Sequence, residues 1–228
     1  MNEETKGPSL AAQAWTHIDK SSWPRGEWNT EPDKVQWVDA ASGLDCLALR
    51  NPWAGHWCGY VGVPEAHRFH GKGVGECAAV ESCGERYCGH CAVAFFDVHG
   101  GITFAEGCHE PTRDQYDTLD ALATDPSRVA EAAEYPQGDA ARRIASFRAQ
   151  SALSFEDWQA DQQTKRICHI PQPGRSGDVW WLGFNCAHGG DIGPGRDEIV
   201  FRDGWYKPLG YVEGECQSLA RQLAAVRT

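Results

Sequence analysis

Residues 179–186 read VWWLGFNC, and this run is the strongest indication of fold class in the chain. It is short, apolar and aromatic, and Gly177 and Gly189 flank it, which is typical of a buried β-strand. Three earlier stretches have a similar character and predict further strands, at residues 35–38, 44–49 and 57–63. Short strands separated by turn residues favour a mostly antiparallel, twisted sheet.

Further elements are expected on both sides of these strands. The apolar run 92–98 and residues 102–105 predict two strands that pair with each other, and residues 199–202 predict an edge strand. Residues 10–20 predict a short helix. A C-terminal helix is indicated by apolar residues that recur at spacings of four and three, namely Val212, Cys216, Leu219, Leu223 and Val226.

Residues 112–166 differ in composition from the rest of the chain. They are rich in Ala, Asp, Glu, Gln and Arg and poor in Gly, which predicts several helices separated at Pro126 and Pro136. We therefore expect a single α+β domain over residues 1–228, with a mostly antiparallel sheet, a C-terminal helix packed on it and a helical insertion.

Two Cys-His pairs flank this insertion, Cys108-His109 before it and Cys168-His169 after it. If the insertion leaves one sheet and returns to it, the two pairs must be neighbours. Either metal binding or simple packing is compatible with that arrangement.

Four cysteines and three histidines crowd into residues 67–91, at His67, His70, Cys77, Cys83, Cys88, His90 and Cys91. Thiolate and imidazole groups are good zinc ligands, and the C-x2-C spacing of Cys88 and Cys91 lets two sulfurs hold one ion. The leading prediction is a zinc-stabilised loop whose four ligands are Cys77, Cys83, Cys88 and Cys91. His90 in place of Cys91 is the alternative ligand.

The tripeptide His-Gly-Gly occurs twice, at residues 99–101 and 188–190, each time after an apolar run. If the two runs are neighbouring strands, His99, His188 and Asp191 converge, with Asp97 on the same face as His99. Such a group can hold a metal ion or act as acid and base. The alternative is that each histidine caps a strand end by bonding to a turn.

A pocket is expected where these runs end, with Trp57, Trp180 and Trp181 as its aromatic walls. A weaker prediction is a thiol triad of Cys58, His99 and Asp191, which rests on residue order alone.

Charge and missing motifs exclude several classes of function. The net charge is -11 and Lys and Arg do not cluster, so direct nucleic-acid binding is not expected. There is no P-loop, G-x-G-x-x-G, G-x-S-x-G or H-E-x-x-H motif, and no H-x-E of zinc deaminases. Without a secretory signal or a long apolar run, we expect a cytoplasmic protein, no membrane contact and ten reduced cysteines.

Three blocks of sequence, at residues 55–64 (GHWCGYVGVP), 97–104 (DVHGGITF) and 180–191 (WWLGFNCAHGGD), resemble an uncharacterised family often encoded by bacteriophages. The resemblance implies a phage or prophage origin and a host-cytoplasm setting. It implies no activity and no catalytic residue.

Two functional hypotheses follow. The first is a phage-type accessory protein with a structural zinc site, which binds a host protein or a small molecule in a His- and Trp-lined pocket. The second is a metal-dependent hydrolase that uses His99, His188 and Asp191.

Overall fold

The fold is α+β, as predicted, and the described residues form one open sheet of six strands. The computed structural model describes residues 12–78, 91–136, 138–170, 175–195 and 204–226. All strand pairings are antiparallel, in the order β1-β2-β3-β4-β6-β5. The strands are β1 Gln13–Trp15, β2 Lys34–Val38, β3 Asp45–Arg50, β4 Trp57–Pro64, β5 Phe104–Gly107 and β6 Val179–Asn185.

The helices of the described residues are α1 Ala92–Phe95, α2 Arg113–Asp117, α3 Leu119–Thr124, α4 Pro126–Glu134, α5 Asp139–Ser151, α6 Phe155–Gln163 and α7 Leu209–Ala225. Of these, α7 is the predicted C-terminal helix. Its apolar stripe is fully buried at Val212, Cys216, Leu219 and Leu223. None of the helices in the described part of the chain is long and apolar enough to cross a membrane.

The main core lies between α7 and one face of the sheet, where Val61 and Phe184 are buried with Cys216. Gly59 on β4 is what lets the helix approach. A Cβ atom at residue 59 would lie 2.4 Å from the Phe184 ring and 2.7 Å from the Cys216 sulfur. A glycine inside a strand commonly marks such a close approach.

The opposite face of the sheet carries a second, smaller core. Leu47, Tyr60, Val179 and Trp181 are buried there. Successive side chains of a strand point to opposite faces, so the neighbours Trp180 and Trp181 belong to different cores.

Two predicted elements are wrong in type. The apolar run 92–98 begins as helix α1, because a short apolar run does not distinguish a buried helix from a strand. Residues 102–105 were expected to pair with that run. The strand observed there is β5, which begins two residues later and pairs with β6. Residues 13–15, predicted as part of a helix, form a strand. The Asp33 carboxylate holds the chain that follows, because it accepts hydrogen bonds from the backbone amides of residues 17 and 18, both at 2.8 Å. The predicted edge strand at 199–202 lies outside the described residues.

The chain divides into two compact units, one formed by residues up to Cys108 and from Ile167 onward, the other by His109–Arg166. The regular structure described in the second unit is all helical, and this unit buries Leu119, Ile144 and Trp158. Side-chain N-caps start three of its helices, at Thr112, Asp125 and Ser154.

Cys108 and Cys168 form a disulfide at the points where the chain leaves the first unit and returns to it, with Cα atoms 5.3 Å apart. The Trp181 indole donates to the Cys108 sulfur at 3.3 Å, and the buried Lys34 ammonium donates to the Cys168 carbonyl at 2.7 Å. The prediction that all ten cysteines are reduced is therefore wrong for this pair. Because the two sulfurs are bonded to each other, neither is a thiolate ligand for a metal.

A buried ionic network anchors the start of α7 to the sheet. Arg50, at the end of β3, is 1% exposed, and its guanidinium contacts the Glu31 carboxylate at 2.6 Å and the Tyr206 hydroxyl at 2.8 Å. Lys20 pairs with the fully buried Asp33 at 2.6 Å. We call these five residues the Glu31 network.

Glu31 is the residue that joins the network to α7. Its carboxylate accepts hydrogen bonds from the Leu209 amide at 2.9 Å, the Trp57 indole at 3.2 Å and the Tyr206 hydroxyl. Burial alone would raise the pKa of Glu31, but these hydrogen bonds and the one from Arg50 lower it below its usual value. The network thereby fixes the segment 205–211, which carries half of the site described next.

Candidate functional site

His99 lies on the first two turns of α7. Its backbone amide donates to the Glu215 carboxylate at 2.8 Å. Its ring bonds through Nε2 to Asp191 Oδ2 at 2.8 Å and through Nδ1 to the Tyr211 hydroxyl at 3.0 Å. An ionised carboxylate only accepts, so Nε2 carries the proton and the Nδ1 of a neutral ring accepts from the Tyr211 hydroxyl.

Asp191 is the charged centre of this group. Its Oδ2 also accepts the His188 amide at 2.9 Å, and its Oδ1 lies 3.2 Å from the Lys207 ammonium. Only 4% of Asp191 is exposed, and burial would raise its pKa, but the hydrogen bonds from His99, His188 and Lys207 outweigh burial and lower it. The carboxylate therefore stays ionised at neutral pH.

His188 completes the convergence. Its ring centroid lies 5.5 Å from that of His99, and its Nε2 atom is buried without a hydrogen-bond partner among the described residues. The ring rests on Gly100, where a Cβ atom would lie 1.7 Å from Nε2 and where φ is +65°. The sequence-predicted residues His99, His188 and Asp191 are thus brought together, and we call them, with Lys207 and Tyr211, the His99 cluster.

Asp97 does not take part in this cluster. Its side chain is exposed, and its backbone amide and carbonyl are both bonded to the Gln222 side chain, at 2.9 Å and 2.7 Å. The strand that was expected to place Asp97 beside His99 is absent, since residues 92–95 are helical and His99 lies in the following loop.

Sequence reasoning missed the residues that complete the site. Tyr211 and Glu215 lie four residues apart on α7, outside its apolar stripe, and that spacing was a usable signal for one shared helix face. Nothing in the sequence marked Trp205 and Lys207. Trp205 is 59% exposed, with the Lys207 ammonium 3.9 Å from its ring centre and the Tyr211 ring edge-on at 5.5 Å.

The chemistry open to the cluster follows from these bonds. Both nitrogens of His99 are engaged, so a substrate must displace Asp191 or Tyr211 to reach either one, and Asp191 already contacts His99, His188 and Lys207. Burial and the nearby Glu215 carboxylate raise the pKa of Tyr211, which keeps its hydroxyl protonated. In the described ranges, no group of three His, Cys, Asp or Glu side chains is arranged to hold a metal ion.

The three tryptophans do not wall one pocket. Trp57 is fully buried, with the Arg50 guanidinium 4.2 Å from its ring centre. Trp180 bonds to the Lys72 carbonyl at 3.0 Å, and Trp181 lies on the other face of the sheet. Strand alternation places Trp181 on the face opposite Trp57 and Trp180, so the three rings cannot line a common wall.

The predicted thiol triad does not assemble either. Cys58 packs on the sheet face opposite α7, whereas His99 bonds to α7. Burial raises the pKa of Cys58 to about 11, which disfavours the thiolate that a nucleophile requires.

The Cys/His-rich loop is only partly described. Cys83, Cys88 and His90 lie outside the described residues, whereas Cys77 and Cys91 are partners in an isolated antiparallel bridge. The first and last of the predicted ligands are therefore adjacent. His67 is a core residue, because its ring bonds to the Leu223 carbonyl at 3.1 Å and burial lowers its pKa.

Both Cys-His pairs lie in the described part of the chain, but they form no ligand set there. His169 is buried against the Trp181 ring, at 5.5 Å between centroids, and its pKa is lowered by burial. His109 belongs to the helical unit, where its carbonyl accepts from Arg166 at 2.5 Å.

Comparison with known proteins gives no relative: no family model, no curated protein and no solved structure matches the chain.

Proposed function

We propose that the chain is an accessory protein that binds a host protein through the surface around Trp205, without turnover. The observation that carries the proposal is an exposed indole fixed beside a cluster whose charges are already satisfied by one another. Tryptophan is enriched among the residues that dominate protein interfaces, and a rigid support reduces the entropy lost on binding. A phage origin and a cytoplasmic setting fit this role, and the acidity of the chain argues against direct nucleic-acid binding.

The test uses the full chain as bait in a lysate of the bacterial host. Trp205→Ala is compared with Tyr135→Ala, which removes an equally exposed aromatic ring, 59% in each case, from the helical unit. We expect one host protein to be retained by the wild type and by Tyr135→Ala, and lost with Trp205→Ala. Equal retention by both variants would contradict the proposal.

We further propose that residues 77–91 bind one structural zinc ion through Cys77, Cys83, Cys88 and Cys91, with His90 as the alternative ligand. The bridge between Cys77 and Cys91 supports this, because it holds the first and last ligand side by side, as a tetrahedral site requires. Metal analysis should give one zinc per chain, reduced by Cys91→Ser and unchanged by Cys58→Ser on the far sheet face.

A metal-dependent hydrolase is the second candidate, and one observation favours it. The buried Nε2 of His188 has no partner among the described residues, beside a hydrogen-bonded histidine and carboxylate. Turnover would require His99 or Asp191 to release a present partner. A second, exchangeable metal ion, lost together with hydrolysis in His188→Ala, would support the hydrolase over the binding protein.

A further inference from the structure

A pocket lies in the sheet-containing unit, and none of its lining residues belongs to the His99 cluster. It has a volume of about 250 Å³ and opens between the β2–β3 turn, the end of β4 and the start of β6. Leu44, Pro64 and Val179 supply apolar walls. Gly62 leaves the floor open, since a Cβ atom there would reach to 3.3 Å from the Trp181 ring.

An ion pair lines the same pocket. The Arg175 guanidinium bonds to the two oxygens of Asp45 through Nε and Nη2, both at 3.0 Å, and Nη2 also donates to the Gly43 carbonyl at 2.8 Å. These bonds fix the plane of the guanidinium. Among the described residues, nothing accepts from Nη1, so two donors remain for a ligand.

Asp45 can also accept further hydrogen bonds. Each of its oxygens accepts one hydrogen bond from Arg175, and a carboxylate offers about four acceptor positions. The Asp45 side chain is 12% exposed and that of Arg175 is 26% exposed, so the pair faces the pocket and is partly shielded from water. Exposed ion pairs are commonly neutral for stability, but a shielded pair with unused donors and acceptors is also a recognition element.

The charge pattern selects the ligand. A simple carboxylate at Arg175 would stand beside the negative Asp45, and a simple amine at Asp45 would stand beside the positive Arg175. Only a ligand that carries both charges, a short distance apart, complements both groups. Apolar walls and a volume below that of drug-sized sites restrict the rest of the ligand to a few carbon atoms.

We propose that this pocket binds a free α-amino acid with a small aliphatic side chain. The ligand carboxylate accepts from Arg175 Nη1, its ammonium donates to Asp45, and its side chain contacts Leu44 and Val179. The site is independent of the surface proposed for the host protein.

The test is a titration of the ¹⁵N-labelled full chain with L-leucine, followed by amide chemical shifts. We expect saturable shifts confined to residues 43–45, 62–64 and 175–179. Two analogues that each lack one charge, 4-methylpentanoate and isoamylamine, should bind at least about tenfold more weakly. Shifts that do not saturate by about 20 mM leucine, or analogues that bind as well as leucine, would overturn the proposal.

A pair of variants adds a second test. Arg175→Gln should weaken leucine binding at least about tenfold, whereas Arg221→Gln, at an exposed position on α7, should leave it unchanged. Unchanged binding by a folded Arg175→Gln variant would also overturn the proposal. If that variant does not fold, the comparison of leucine with the two analogues on the wild-type chain remains the test of the proposal.

Discussion

Replacing Glu31 with Gln removes one charge from the Glu31 network while keeping the size of the side chain. Among the described residues, Arg50, which is 1% exposed, then keeps Asp33 as its one carboxylate partner, at 3.4 Å, and Asp33 already pairs with Lys20 at 2.6 Å. Breaking a buried ion pair by removing one partner costs about 3–5 kcal/mol. We expect about 3 kcal/mol, the lower end, because 15% of the Glu31 side chain is exposed.

The charge imbalance is what makes this cost large, and a second substitution tests that cause. Arg50→Met keeps an unbranched apolar stem and removes the positive charge. The double variant should therefore be more stable than the sum of the two single effects predicts, by about 2 kcal/mol. Urea unfolding followed by tryptophan fluorescence measures the free energy of unfolding for each variant.

A matched control is the exposed pair Arg113–Asp117, with side chains 62% and 54% exposed at 2.9 Å. Breaking that pair should change the free energy of unfolding by no more than about 0.5 kcal/mol. A cost of less than about 1 kcal/mol for Glu31→Gln, or simple additivity of its effect with that of Arg50→Met, would contradict the role given to the buried charge pair.

Two further predictions concern the His99 cluster. Gly100→Ala should strongly destabilise the protein or displace His188, because φ at residue 100 is +65° and the new Cβ would lie 1.7 Å from the His188 Nε2 atom. The control is Gly189→Ala, where a Cβ would have no atom within 4 Å and φ is not positive, and which should be nearly neutral. Thermal unfolding measures both effects. The pKa of Asp191 is lowered below 3.8 in the folded state, so its contribution is complete above that pH and is lost as the pH falls further. Asp191→Asn should therefore reduce stability at pH 7 and flatten the loss of stability between about pH 5 and pH 2 in acid titrations; an unchanged slope would contradict this assignment.

The strands at the centre of the sheet could be predicted because their sequences are apolar throughout. β4 and β6 are buried on both faces, so nearly every residue in them is apolar or small, and the run is recognisable as a buried strand. The helix α7 could be predicted because one of its faces is fully buried, which makes apolar residues recur at spacings of three and four. The run at 92–98 failed because it is too short for its period to separate helix from strand.

The convergence of His99, His188 and Asp191 was anticipated from the repeated His-Gly-Gly tripeptide, but one supporting premise was wrong. His99 does not end a strand. It is positioned by Glu215 and Tyr211 on α7, more than one hundred residues away in sequence. Contacts of that range are set by tertiary packing, which a single sequence does not encode locally.

The buried charges were the least predictable feature. Arg50 ends an apolar strand and Lys34 begins one, positions that ordinarily carry solvent-exposed charges. Their burial depends on acceptors from distant segments, such as Glu31 for Arg50 and the Cys168 carbonyl for Lys34. No local pattern indicates which polar group will meet them.

The proposed role of the Trp205 surface is tested most directly by calorimetric titration of the captured host protein with purified Trp205→Ala and Tyr135→Ala chains. A residue at the centre of an interface contributes 2 kcal/mol or more, so Trp205→Ala should raise Kd at least about 30-fold while Tyr135→Ala leaves it unchanged. Equal dissociation constants for the wild type and Trp205→Ala would contradict the account.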